Sequence, residues 1–272
     1  MTQRVTILGC GSSAGVPRVG VGWGACDPRN PKNRRRRCSI LVERLGPAGT
    51  TAVLVDTSPD VREQLLSLDT RRLDAVLLTH DHADHTHGID DLRPLVIAMR
   101  RRMPVYMHPT TRDLMLTRFG YCFVTPPGSD YPPILEERGF EVGADVRIEG
   151  QGGVVRGRPF RMIHGNIDAF GFRFGNLAYA PDVSRMPPES IDALRGLDVL
   201  ILDALRYTPH PTHFSVAEAL ALIERVRPRR AVLTNLHTDL DFEILRTQLP
   251  DAVEPAHDGL QVEVPIRSEV VA

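Results

Sequence analysis

Four side chains able to bind a metal, His80, His82, Asp84 and His85, fall within six residues directly behind the apolar run Ala75–Leu78. An extended His-x-His places both imidazoles on one side, because side chains alternate along extended backbone. A turn behind it brings Asp84 and His85 to the same point. Neutral imidazole and carboxylate are the donors that zinc, manganese and iron accept. A solvated polar loop has no physical reason to gather four such donors at the end of a buried strand. The cluster therefore demands a sheet whose strand ends meet at one place, with further donors arriving from elsewhere in the chain.

The rest of the sequence supplies such a sheet. Val5–Leu8, Ser39–Glu43, Thr51–Val55 and Val105–Met107 read as strands. Phe160–His164, Phe170–Phe174 and Leu177–Ala180 read as successive strands of a second sheet, and Val199–Asp203 and Ala231–Thr234 as buried strands each preceded by a helix. Ser58 and Pro59 are the expected N-cap and first position of a helix that continues through Val61, Leu65 and Leu68. Pro94 allows a helix from near Leu92, and Tyr121–Pro133 reads as an irregular loop. Ser215 and Glu218 form an expected capping box. Two blocks of strands with helices outside them point to an α/β fold, a four-layer αββα sandwich, although other α/β layouts fit the same order of elements. No linker or repeat interrupts residues 1–272, which are expected to form a single domain.

Composition excludes some partners. A formal net charge of −1 gives no global attraction to nucleic acid or to an anionic membrane. No apolar run approaches the roughly 20 residues that span a bilayer, and Met1–Leu8 carries no signal-peptide pattern, so a cytoplasmic location is expected. Cys10, Cys26, Cys38 and Cys122 are scattered and expected as free thiols. The run Arg34–Arg37 has no interleaved aromatics and reads as a solvated rim, with one arginine turned towards a substrate phosphate as the open alternative.

The His80-x-His82-x-Asp84-His85 pattern resembles that of the metallo-β-lactamase superfamily. Later strand ends carry His164, Asp182 and His237 in the superfamily's order. The resemblance implies the αββα fold and two divalent metal ions, zinc and/or manganese. It assigns His80, His82 and His164 to one ion, Asp84, His85 and His237 to the other, and Asp182 to both. A shared water on two such ions reaches a pKa near about 7 and serves as nucleophile. Thr212-His213-Phe214-Ser215 resembles the H-x-S/T motif of the phosphodiesterase branch, in which the histidine acts on the leaving group. His213, with Asp182, is thus a catalytic candidate, His210 competes with it, and the helix start behind His213 is expected to lower its pKa.

Gly9-Cys10-Gly11, Val16-Pro17 and Arg34-Arg35-Arg36-Arg37-Cys38-Ser39 are similar to the phosphoribosyl cyclic phosphate phosphodiesterase branch of the carbon–phosphorus lyase pathway. That branch carries a structural zinc on a cysteine-rich loop. Here Cys26 is the only cysteine of Gly22–Cys26, so no structural zinc is expected. The implied activity is a dinuclear phosphodiesterase in which a bridging hydroxide attacks a small cyclic phosphate or nucleotide-like diester. A thioester or lactone hydrolase, and an iron-dependent oxygenase resembling the superfamily member of pyrroloquinoline quinone biosynthesis, are the alternatives. The expected partner is a small-molecule phosphodiester, with no membrane and no stable nucleic-acid complex. A homodimer remains open.

Overall fold

The computed structural model describes residues 2–266; Met1 and residues 267–272 of the expected single domain lie outside the described residues. The first sheet takes β1 (Thr2–Gly9), β2 (Ser39–Gly46), β3 (Gly49–Val55), β4 (Ala75–Leu77), β5 (Met103–Met107) and β6 (Leu135–Gly139). The second takes β7 (Val146–Ile148), β8 (Val155–His164), β9 (Ile167–Phe174), β10 (Leu177–Ala180), β11 (Val199–Asp203), β12 (Arg230–Thr234) and β13 (Val253–Pro255). Strand β14 (Gln261–Pro265) returns to the first sheet, giving the orders β14-β1-β2-β3-β4-β5-β6 and β13-β12-β11-β10-β9-β8-β7. In each sheet four neighbouring strands, β3–β6 and β10–β13, run parallel, and the others are antiparallel.

The period of two explains the layers. Val5, Ile7, Ile40, Val42, Val53 and Val55 face inward and share one core with Phe170, Phe172, Phe174, Tyr179, Val199 and Ile201 of the other sheet. The intervening Leu8, Leu41, Leu54 and Val76 face outward, beneath helices α1 (Val61–Leu66), α3 (Arg93–Met99) and α4 (Pro109–Phe123). Between α1 and α3 lies the single turn α2 (Ala83–Thr86), which carries the second half of the histidine motif. Behind the second sheet, Ala178, Leu200, Leu202 and Leu233 lie beneath α6 (Val216–Val226) and α7 (Phe242–Gln248), with the short α5 (Pro188–Ile191) at their flank. Both sheets are covered on both faces. The four-layer αββα sandwich is the architecture.

Helix α6 shows how local sequence sets a layer. Val216, Ala219, Leu222 and Val226 repeat at helical spacing and are buried. Ser215 Oγ accepts from the Glu218 amide while Glu218 accepts from the Ser215 amide, so the expected capping box is present. Leu222→Ala would cost about 2–5 kcal/mol at such a site.

Two expected boundaries differ. Helix α1 begins at Val61 with Asp60 as N-cap, because Ser58 Oγ is engaged by the Asp60 amide and by Gln64, which makes Ser58–Asp60 a turn ahead of the helix. Tyr121–Phe123 belong to α4, whose start is set by His108 as N-cap and Pro109 in the first turn. The arginine run is a solvated rim at the exposed Arg34 but not at the three that follow. Arg35 is buried and donates to the carbonyls of His237 and Leu240, Arg36 pairs with Asp258, and Arg37 pairs with Asp60. These side chains staple the Gly11–Ser39 segment to the second sheet and to α1. No helix among the described residues is long and apolar enough to cross a membrane.

Candidate metal centre

The convergent donors sit at the C-terminal ends of strands, apart from His82, Asp84 and His85, which come from the N-cap and body of α2. Strand β4 leads to Thr79 and His80, β8 ends in His164, β10 leads to Asp182, β11 ends in Asp203 and β12 leads to Asn235. Ligand atoms of His80, His82 and His164 lie within 4.8 Å of one another, as do those of His80, His85 and Asp182, and of His164, Asp182 and His213. Asp182 is the shared element. Its Oδ2 lies 3.9 Å from His80 Nε2 and 3.7 Å from His164 Nε2, whereas its Oδ1 lies 3.1 Å from His85 Nε2. Asp84 Oδ2 reaches within 3.5 Å of the same His85 nitrogen.

The outer ring nitrogens are committed elsewhere, which turns the inner ones towards the centre. His164 Nδ1 donates to the Thr212 carbonyl at 2.6 Å. His85 Nδ1 donates to Asp56 Oδ2 at 2.7 Å. Thr79 Oγ1 donates to that same oxygen and receives His80 Nδ1 at 2.9 Å. Gly165 makes the His164 contact possible: it has φ +60, and a Cβ there would stand 2.6 Å from Thr212 Cγ2.

The cluster fits cations on its own chemistry. His80 Nε2 is buried without a hydrogen-bond partner, and His85 Nε2 and Asp182 Oδ1 meet at 3.1 Å without hydrogen-bonding geometry, a costly condition that bound metal would relieve. Burial lowers the pKa of His164 and, with His85 next in effect, sets that of His80 far below the imidazole range, so both rings are neutral, the form that ligates metals. Burial acts the same way on His85, but Asp182, Asp56 and Asp84 outweigh it and raise its pKa. Three carboxylates around one buried imidazole leave an excess of negative charge for a cation to neutralise.

Six of the seven expected ligands are thus brought together, and His237 is not among them. Its Nε2 faces Arg18 Nη1 and its Nδ1 faces Asp239. The residue of that strand end that reaches the centre is Asn235, whose Nδ2 donates to Asp203 Oδ1 at 3.1 Å and lies 3.0 Å from His213 Nδ1. Asn235 has φ +62. In extended chain, residues 235 and 237 would point to one side; the left-handed turn at Asn235 redirects the backbone, and His237 leaves the cluster.

His213 stands beside the centre, its Nδ1 being 3.8 Å from Asp182 and 2.8 Å from Asp203 Oδ2. Burial alone would lower its pKa, but Asp203 and then Asp182 raise it to about 9, which reverses the lowering expected from the helix start. Burial lifts Asp203 to about 6. Across so short a contact the two share one proton, and at neutral pH it rests on His213. His210 is one ring further out, 5.3 Å from His213 between centroids, and among the described residues its hydrogen bonds go to Thr212.

Asp56, Asp203 and Asn235 were not legible as site residues. Each is a carboxylate or amide at the very end of a buried apolar strand, and that position was the available signal. A cavity of 680 Å³ between Arg44, Arg158, Arg173 and Asn176 lies away from all of these groups.

The family described as "Beta-lactamase superfamily domain" matches residues 51–235. A solved structure described as a new diphosphatase from the PhnP family is 36% identical, with a TM-score of 0.87 over 97% of this chain and 98% of that one. An octanoyltransferase of Porphyromonas gingivalis is 34% identical over 270 residues, 95% of this chain and 51% of that protein. A ribonuclease Z of a Bradyrhizobium species is 31% identical over 172 residues, 60% of this chain and 51% of that protein. The chain spans about half the length of these two curated relatives.

Proposed function

The chain belongs to the β-lactamase superfamily and, within it, to the PhnP family, and from that membership we propose that it is a dinuclear metal-dependent phosphodiesterase acting on a small cyclic phosphate or nucleotide-like diester. The observation that carries this reading is the proton donor beside the cluster: His213, 3.8 Å from Asp182 and pinned by Asp203 at 2.8 Å. A thioester hydrolase, which expels a thiolate, needs the cluster alone. Expulsion of an alkoxide from phosphorus also needs a proton.

His80, His82, His164 and Asp182 would hold one divalent ion, zinc or manganese, and Asp84, His85 and Asp182 the other. Bound there, the ions would neutralise phosphate charge and supply an activated water at neutral pH. Asp182 turns one oxygen towards each group of histidines and so sets their separation. His213 commits Nδ1–H to Asp203 and holds on Nε2 the proton that the leaving oxygen takes. A cavity of 630 Å³ opens beside His82 between His87, Arg118 and Phe119 and gives room for the organic part of a small ester.

The test loads purified protein with zinc or with manganese and assays a cyclic ribose phosphate, a 2′,3′-cyclic nucleotide, a thioester and a lactone. Diester turnover abolished by chelation and restored by metal is expected. Turnover of the thioester or lactone alone, or oxygen-dependent turnover with bound iron, would overturn the proposal.

A further inference from the structure

We propose that the cavity bordered by Arg44, Arg156, Arg158 and Arg173 is a second binding site, remote from the metals, for an organic dianion with a compact doubly charged head on an apolar body. Arg156 and Arg158 stand near the start of β8 and His164 closes its other end. At about 3.3 Å per residue, the cavity and the metal centre are about 20–25 Å apart.

The charge arises from the pairing of three strands. Val146, Ile148, Val155, Phe172 and Phe174 turn towards the core between the sheets. Alternation therefore sends Arg147, Arg156, Arg158 and Arg173 to the opposite face. The register sets Arg147 directly opposite Arg156, and Arg158 directly opposite Arg173. Like charges so placed, with Cβ atoms about 5 Å apart, destabilise a sheet.

Little within the protein offsets them. The carboxylate that lines the cavity is Asp145, and it accepts from Arg158 Nε at 2.7 Å. Arg173 spends Nε on the Gly175 carbonyl and Nη1 on those of Ala193 and Arg195, which holds the side chain in place and leaves Nη2 for a ligand. Among the described residues, neither Arg147, Arg156 nor Arg173 pairs with a carboxylate. Burial, and then the charge of Arg158, lower the Arg173 pKa from its ordinary value, and a bound anion would offset both. Arg156 is exposed.

The rest of the lining describes the other half of the ligand. Val154, Pro265 and Ile266 supply an apolar border to a cavity of 680 Å³. That is the size of pockets that enclose organic ligands, about 300–1,000 Å³, and far more than an inorganic anion fills. Arginine forks take paired charged oxygens bidentately, from a phosphate or from two neighbouring carboxylates alike. A dianionic head between Arg156 and Arg173 would turn the repulsion across β8 and β9 into attraction.

The test titrates naphthalene-2,3-dicarboxylate, naphthylmethylphosphonate and the neutral naphthylmethanol into metal-loaded protein by calorimetry. At least one dianion should bind, roughly 10-fold or more tighter than the alcohol. The tighter of the two dianions identifies a carboxylate pair or a phosphate as the head. Arg156→Ala should weaken binding by roughly 10-fold, and Arg173→Ala by roughly 10- to 100-fold. Because Arg156 faces Arg147, the melting temperature of unliganded Arg156→Ala should hold or rise, which separates a lost ligand contact from a damaged fold. Stripping the metals by chelation should leave the affinity unchanged. Wild type that binds neither dianion, an affinity unchanged in Arg156→Ala, or binding lost on chelation would each overturn the proposal. So would binding that needs the removal of residues 267–272, since the chain itself would then be the occupant.

Discussion

Asp203→Asn removes one negative charge next to His213 and keeps the side-chain shape. The contact it alters is 2.8 Å long and Asp203 is fully buried, so little solvent screens it. The rise of the His213 pKa from 6.5 to about 9 corresponds to about 3 kcal/mol in favour of the imidazolium. Asp182 supplies part of that, and cations at the cluster would offset it, leaving about one to two units to Asp203. The sign follows from the direction of the shift. A raised pKa means that the proton is held below that value and lost as pH rises through it, so activity that depends on protonated His213 falls on the basic side. Asp203→Asn should move the basic limb of kcat/KM down by about one to two units for a diester with an alkoxide leaving group. A nitrophenolate substrate needs no proton and should keep its limb. The substitution also turns an amide N–H₂ towards Val183 N, Asn235 Nδ2 or His213 Nδ1, all of which face Asp203 oxygens, so stability should fall by about 1–3 kcal/mol. Thermal melting measures that loss separately. A basic limb that stays in place for the alkoxide substrate would refute the role of this pair.

His213→Ala should retain the metal ions and lose roughly 10²–10⁴-fold in turnover with an alkoxide leaving group, but far less with nitrophenolate; equal losses on both would remove His213 from proton transfer. Asp182→Ala should lower metal content and activity together, because its two oxygens serve both groups of histidines; elemental analysis showing full loading would contradict this. All four cysteines are buried, burial raises Cys10 and Cys38 far above the thiol range, and Cys122 is pushed up to about 12, so folded protein should react slowly with a thiol reagent at pH 8 and release four equivalents in denaturant. Asp241 caps α7 through the amides of Glu243 and Ile244 and also accepts from the Asp27 amide and Asn33 Nδ2. Burial opposes its ionisation, but these bonds lower its pKa below 3.8, so its contribution is complete above that value and is lost as pH falls through the folded one. Asp241→Ala should destabilise the protein by about 1–2 kcal/mol at neutral pH, read from denaturant midpoints, and by less in acid.

The strands were legible because their residues obey one short rule. In β2 and β3 the alternation of Ile40, Val42, Val53 and Val55 against Leu41 and Leu54 follows from burial on both faces, and each strand end was visible as a change to polar or turn residues. Helix α4 was harder. Its residues Pro109–Phe123 bury only Thr111, Met115, Cys122 and Phe123, and Phe119 breaks the helical backbone with φ −127, so no continuous apolar stripe marks it. The burial of Arg35 was hidden for a different reason: its acceptors, the carbonyls of His237 and Leu240, lie some 200 positions away and leave no trace in local sequence.

The same distinction separates the parts of the site that sequence could and could not reveal. His80, His82, Asp84 and His85 come from one strand end and its turn, where alternation fixes direction, and they do converge. The last strand end carries two polar candidates, Asn235 and His237, and alternation cannot choose between them, since both would face one side. Donor chemistry favours the histidine, yet the choice is made by a single dihedral angle. Asn235 takes φ +62, Asp56 at the end of β3 takes φ +65, and both buried side chains then act within the centre, one on Asp203 and the other on His85. Asn and Asp tolerate the left-handed region better than other residues with a side chain, at about 1–2 kcal/mol. Each sheet thus spends its last extended residue on a turn that keeps a short polar side chain inside and sends the following chain away. That turn frees His237 from the cluster and leaves it, with Asp239, to hold Arg18.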